Sequence, residues 1–142
     1  MERFLGPFSP QLYAILRIVS GLMFAMHGTQ KLFAWPGDRT PVDLASMMGV
    51  AGVVELVAGL MIAFGLFTGW AAFVASGQMA VAFFMTHFPD GWNPLLNNGE
   101  KAVLYSFLFL YMAARGAGIW SIDAAMGKRS RHPANADQAH RT

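Results

Sequence analysis

The sequence predicts an all-α protein built as a bundle of four transmembrane helices. Hydrophobic residues make up 55% of the 142 residues and charged residues only 13%, whereas a soluble domain carries about 25% charged residues. Four apolar runs follow one another along the chain, and glycine or proline occurs in each connecting segment. The chain is also short enough to form a single domain.

The first two runs carry the most informative polar groups. Residues 12–35 form a run that is too long for a cleaved signal peptide, and it contains His27 and Lys31, which lie one helical turn apart and share a face. Residues 47–67 give about 21 residues, enough at about 1.5 Å each to cross a bilayer core of about 30 Å. Glu55 lies near the middle of this run. A carboxylate there is costly unless it is paired, protonated or facing a wet cavity, so it marks a candidate functional site.

The third and fourth runs differ in length. Residues 70–88 are a good span and include Gln78. Residues 102–114 are apolar for only about 13 residues, short of the roughly 17 that a span needs. We extend this run to residues 98–115, with Asn98 as the helix N-cap and Glu100 in the first turn. On this basis it is predicted to be the fourth span.

Basic residues predict the orientation and the domain limits. Most of them fall on one predicted side: Arg3, Arg17, Arg115, Lys128, Arg129, Arg131 and Arg141. The positive-inside rule then places both termini in the cytoplasm and the loops containing Arg39 and Lys101 outside. We expect a cytoplasmic N-terminal segment (residues 1–11), a membrane domain (residues 12–124) and a polar, disordered cytoplasmic tail (residues 125–142).

Several classes of function are disfavoured. The pI of about 9.3 does not indicate nucleic-acid binding, because the basic residues cluster where membrane topology explains them. The chain has no cysteine, which excludes disulfides and thiolate metal sites. His27 and His87 differ in predicted depth by more than one helical turn, so neither a haem nor a zinc site is predicted, and no metal is expected.

Depth and spacing bring the polar groups together. His27 and Glu55 both lie about 12 Å below the predicted outer boundary, and Lys31 lies about 6 Å below it. Small residues flank them on each helix, namely Gly21 and Gly28 on the first and Gly52 and Gly59 on the second. Such residues let helices approach closely in lipid, so we expect these faces to meet. Gln78, about 16 Å deep, and Glu100, near the outer surface, fall in the same outer half. The candidate pocket residues are His27, Lys31, Glu55, Gln78 and Glu100; catalytic residues cannot be assigned.

Two interpretations of this cluster remain open. It can be an ion pair that only fixes helix register, since charges within membranes often pair with one another. Alternatively, it lines a pocket in the outer half of the bilayer that binds a small molecule or relays protons. A small transporter is a weaker third interpretation, because four spans without internal repeats suit alternating access poorly.

Eight short motifs follow one another along the chain: Leu16-Arg17, His27-Gly28, Lys31-Leu32, GVVELVAG at 52–59, GLFT at 65–68, QMAVA at 78–82, NNGE at 97–100 and GIWSID at 118–123. In this order and spacing they closely resemble the DoxX family. The resemblance covers roughly residues 10–124. It implies a four-helix bacterial inner-membrane protein, and some members of the family are tied to redox biology as oxidoreductase subunits or partners in oxidative-stress complexes.

The resemblance and the polar cluster together predict a redox-associated membrane subunit with a pocket for a quinone or similar lipid. A quinone needs hydrogen-bond donors and a proton path, which His27, Lys31 and Glu55 could supply. The expected partners are the lipid bilayer and oxidoreductase subunits, with no nucleic acid. Quinone is the one cofactor suggested, and whether the chain is itself an enzyme is left open. The alternative is a non-catalytic scaffold that anchors soluble redox partners.

Overall fold

The computed structural model describes residues 1–38 and 40–130, in which helices are joined by loops and turns and no strand occurs. Six α-helices follow in order: α1 (Glu2–Leu5), α2 (Ser9–Phe33), α3 (Met47–Phe64), α4 (Thr68–Ala82), α5 (Glu100–Arg115) and α6 (Ile122–Ser130). A 3-10 turn (Gly6–Phe8) joins α1 to α2. A π-helical turn (Phe83–His87) and a 3-10 turn (Phe88–Asp90) continue α4. The all-α prediction is therefore confirmed for the described residues.

Three helical stretches are long and apolar enough to cross a membrane. They are Glu2–Phe33, Met47–Phe64 and Thr68–Asp90. Many of their large apolar side chains are exposed, as in Val57, Phe73 and Val74, which is typical of a surface covered by lipid rather than water. Helix α5 has 16 residues, just below the roughly 17 needed for a span.

Helices α2 and α3 touch backbone to backbone. A Cβ atom on Gly28 would lie 2.5 Å from the backbone nitrogen of Leu56 and 2.6 Å from the carbonyl oxygen of Gly52. A Cβ on Gly21 would lie 2.7 Å from the carbonyl oxygen of Gly59. None of these three distances leaves room for a methyl group, so the predicted meeting of the two small-residue faces is confirmed. We call this contact the glycine seam.

Helix α5 closes the other side of the core through aromatic rings. The rings of Phe24 on α2 and Phe109 on α5 pack edge to face with centroids 4.8 Å apart. Tyr105 stacks on Phe109 at 5.3 Å, and Met112 is fully buried one turn further on. Helix α4 packs against both α3 and α5, so α2, α3, α4 and α5 share one hydrophobic core.

The turn between α3 and α4 is held by the segment that follows α5. Gly65 ends α3 with φ +69°, and its carbonyl accepts a hydrogen bond from the backbone of Asp123. The Asp123 carboxylate in turn accepts hydrogen bonds from the backbone of Phe67 at 2.8 Å and Thr68 at 3.0 Å. It thereby caps the first turn of α4 from a distant part of the chain.

The polar tail begins as helix. Helix α6 runs from Ile122 to Ser130 and so includes residues 125–130 of the predicted tail. Residues 131–142, for which disorder is predicted, and Arg39 in the first long loop lie outside the described residues.

Candidate ligand-binding site

The glycine seam sets Lys31 of α2 beside Glu55 of α3. The Lys31 Nζ atom lies 2.5 Å from Glu55 Oε1. The Glu55 side chain is only 5% exposed, while that of Lys31 is 27% exposed. Because a buried carboxylate loses its hydration, a close ammonium partner is what makes its burial tolerable. The predicted meeting of these two residues is confirmed.

Helix α4 adds a third member to the pair. Gln78 Nε2 donates to Glu55 Oε1 at 3.1 Å and to the carbonyl oxygen of Ala51 at 3.3 Å. Lys31, Glu55 and Gln78 thus form one hydrogen-bonded set across three helices, which we call the polar triad. Each of its members is a residue predicted for the site from the sequence.

Two oxygen atoms of the polar triad have no donor. Glu55 Oε2 and Gln78 Oε1 are buried and make no hydrogen bond within the described residues. Most buried polar atoms in proteins are hydrogen-bonded, so an unpaired one calls for an explanation such as an unseen water or ligand. Here two such atoms occur in neighbouring side chains, and both are acceptors.

His27 lies in the same region but is not bonded to the triad. Its ring meets the ring of Tyr105 edge-on, with centroids 6.4 Å apart, and it makes no hydrogen bond to any described residue. The expectation that Glu55 lies opposite both His27 and Lys31 therefore holds as a direct contact only for Lys31. Tyr105 was not singled out from the sequence, although a phenol in an otherwise apolar run is a usable signal.

A cavity of about 830 Å³ joins these side chains. Its polar wall includes His27 and the polar triad, and the rest of its lining is mostly apolar. Some of the apolar residues, such as Val50 on α3 and Val81 on α4, are also exposed. The cavity therefore reaches the outer surface of the helices, where lipid would lie, as well as their interior.

The loop end of the cavity differs from the sequence prediction. Glu100 is exposed at the first position of α5 and does not border the cavity, whereas Lys101, Asn98 and His87 do. The predicted N-cap is also wrong, because Gly99 precedes the helix and Asn98 adopts a left-handed conformation with φ +58°. The turn before the helix is organised by the neighbouring Asn97 instead, whose side-chain oxygen accepts a hydrogen bond from the backbone N–H of Gly99.

Within the described residues, no group of three or more His, Asp or Glu side chains is placed to hold a metal ion.

His87 lies at the rim of the cavity, with Nδ1 3.0 Å from the carbonyl oxygen of Asn97. The polar side chains that line the cavity carry carboxylate, ammonium, amide, imidazole, phenol and aliphatic hydroxyl groups.

The chain matches the DoxX family over residues 12–88, more than half of its length. It is a DoxX protein. An uncharacterised protein of Haemophilus influenzae is 41% identical over 131 residues, covering 88% of this chain and 98% of that protein. The inner membrane protein YqjF of Escherichia coli is 29% identical over 124 residues, covering 81% of this chain and 92% of that protein. No solved structure matches the chain.

The family match contains the whole polar triad and His27, which lie between residues 27 and 78 of this DoxX protein. The later motifs that resemble the family, NNGE at 97–100 and GIWSID at 118–123, fall beyond the matched range. The similarity to the Haemophilus influenzae protein extends over 131 residues, so it continues beyond residue 88.

Proposed function

We propose that this DoxX protein is a subunit of a bacterial inner-membrane redox system and holds a quinone-type lipid in the cavity. One observation carries the proposal: a cavity of about 830 Å³ has a buried polar triad on one wall and apolar, lipid-exposed residues on another. Small-molecule sites typically enclose about 300–1,000 Å³ and combine apolar walls with a few polar groups.

The shape of such a lipid fits the two walls. A quinone-type lipid has a polar ring with two oxygen substituents and a long apolar chain, so the ring suits the polar wall formed by His27 and the polar triad. The chain suits the exposed apolar residues between α3 and α4, such as Val50 and Val81. His27 has no hydrogen-bond partner in the described structure and is free to exchange a proton with the ring oxygens.

The membrane topology is part of the same proposal. We infer that α5 crosses the bilayer as a fourth span and that both termini are cytoplasmic. Its 16 residues extend about 24 Å, and Arg115 at its end can reach the interface. The ring contact between Phe24 on α2 and Phe109 on α5 supports a position of α5 alongside a candidate span. The inner membrane is supported by the name of the Escherichia coli relative.

A pair of reporter fusions tests this topology. A reporter fused after Thr142 is expected to read as cytoplasmic, while a tag inserted beside Arg39 is expected to be accessible from the periplasm. A periplasmic C-terminus would show that α5 does not cross the membrane.

Extraction of bound lipid tests the ligand. The full-length protein is purified in mild detergent, its lipids are extracted, and quinones are quantified by mass spectrometry. Wild-type protein is expected to carry a quinone-type lipid. Ala82→Trp, which fills the cavity beside Gln78, is expected to lose it, and His27→Ala is expected to bind it more weakly.

The matched control is Glu2→Gln, which changes an exposed residue near the N-terminus that does not line the cavity. This variant is expected to retain the lipid. Folding of every variant is checked by size-exclusion chromatography. Folded wild-type protein that carries no quinone and binds no analogue in either redox form would overturn the proposal. The non-catalytic scaffold would then be the better account of the protein.

A further inference from the structure

The polar triad is unbalanced between donors and acceptors. Two of its donors are directed to Glu55 Oε1, one from Lys31 and one from Gln78. The Lys31 side chain is 27% exposed, so its remaining hydrogens can reach water or lipid headgroups. Glu55 Oε2 and Gln78 Oε1, in contrast, are buried and unpaired within the described residues.

Both unpaired atoms can only accept hydrogen bonds. Glu55 forms an ion pair with Lys31, so its second oxygen is that of a carboxylate, which accepts and does not donate. The Gln78 oxygen is an amide carbonyl, since the amide nitrogen must face the carboxylate that it contacts. A ligand that completes this wall must therefore bring hydrogen-bond donors.

The two redox forms of a quinone-type lipid differ in this respect. The oxidised ring presents two carbonyl oxygens, which only accept, and would place acceptor against acceptor at Glu55. The reduced ring presents two hydroxyl groups, either of which can donate to Glu55 Oε2 or Gln78 Oε1. His27 does not discriminate between them, because an imidazole can donate from one nitrogen and accept at the other.

We propose that the site selects the reduced, hydroxyl-bearing form of the lipid over the oxidised form. This inference rests on the proposed function and specifies which member of the redox pair the cavity holds. A ligand that donates a hydrogen bond to the charged Glu55 oxygen is expected to bind at least about tenfold more tightly than a ligand that leaves this oxygen unpaired.

Three short-chain probes with the same ring test the inference under anaerobic conditions. They are a hydroquinone, the corresponding quinone and the dimethyl ether of the hydroquinone, each titrated against the purified full-length protein. The hydroquinone is expected to bind about tenfold or more tightly than the quinone. The dimethyl ether has the oxygens but no O–H, and is expected to bind no better than the quinone.

The outcomes separate the inference from the function on which it rests. A quinone that binds as tightly as the hydroquinone overturns the selection of the reduced form but leaves the pocket in place. A dimethyl ether that binds as tightly as the hydroquinone also overturns it, because no donated hydrogen bond is then needed. Failure of all three probes to bind folded protein overturns both proposals together.

A variant gives an independent measurement. In Glu55→Gln the amide oxygen can still face Lys31 and Gln78, which places an NH2 donor where Oε2 was. The preference for the hydroquinone is then expected to disappear or reverse, while Glu2→Gln is expected to keep it. A folded Glu55→Gln protein with the wild-type preference would overturn the role of Oε2. If this variant does not fold, the three wild-type titrations decide the question.

Discussion

Charged groups are buried at both ends of the helices, but in different ways. At the cavity end, Glu55 is paired with Lys31 and Gln78, and still has a free oxygen beside an open volume. At the opposite end Arg17 is fully buried, and its two terminal nitrogens donate to the carbonyl oxygens of Ala117 at 2.6 Å and Trp120 at 2.7 Å.

The space around the two charges differs as well. A Cβ atom placed on Gly65 would lie 2.5 Å from Arg17 Nη1, so the guanidinium is enclosed by the chain's own backbone. Its partners are carbonyl groups of the segment after α5, which it ties to α2. Burial of a charge is thus not by itself a sign of function. Arg17 Nε is also buried without a partner within the described residues, so an unpaired atom is not by itself a sign of function either. The site at Glu55 differs from the structural anchor at Arg17 because its unpaired atoms are acceptors on residues that line the cavity.

The largest expected effect is at Arg17. Arg17→Met leaves the carbonyl groups of Ala117 and Trp120 without donors, and we expect a loss of about 3 kcal/mol or more in the free energy of unfolding. Thermal unfolding in detergent measures it. The fraction that remains folded is expected to bind quinone-type probes with wild-type affinity. A variant that is stable but has lost binding would mean that this end of the molecule also serves the ligand.

The next effect concerns the ion pair. Lys31→Met leaves the Glu55 carboxylate buried with only Gln78 as a donor, and we expect a loss of about 2–3 kcal/mol, below the usual 3–5 for fully buried pairs because Lys31 is partly exposed. Adding Glu55→Gln removes that charge, so the double variant is expected to be more stable than Lys31→Met alone. The same unfolding assay gives the coupling energy. Additive losses would show that the two residues do not interact.

The smallest effect is expected at Asp123. Asp123→Ala removes the acceptor for the first backbone N–H groups of α4, and the loss of such a cap costs about 1–2 kcal/mol. Asp123→Asn retains one side-chain oxygen and is expected to lose less. Both variants are measured by thermal unfolding and by probe binding, and binding is expected to be unchanged. Impaired binding at full stability would contradict the separation of the two ends.

The polar triad was predictable because its signals are local. Lys31 stands one turn from His27, Glu55 stands between glycines on one helical face, and residue spacing gives their depths. The contacts of Arg17 were not predictable, because they join residues 100 or more positions apart through backbone carbonyls that carry no sequence signal.

The position of Glu100 shows how much depends on where a helix begins. Successive residues of an α-helix point about 100° apart, so Glu100 and Lys101 point in different directions, and only Lys101 borders the cavity. The side chain of Asn97, bound to the backbone of Gly99, organises the turn before α5. The sequence indicated a helix start here but not which of the two neighbouring asparagines would shape it. Glu100 was expected at the pocket, but the structure does not put it there.

The glycine seam has a mechanical consequence. Where two backbones are in direct contact there are no side chains to rearrange, so α2 and α3 behave as one stiff unit. The contacts between α2 and α5 are instead made by aromatic rings, which can slide and tilt. If a bulky ring enters the cavity, we therefore expect α4 and α5 to take up the displacement. The backbones that carry Lys31 and Glu55 are then expected to keep their spacing, whether the cavity is empty or full.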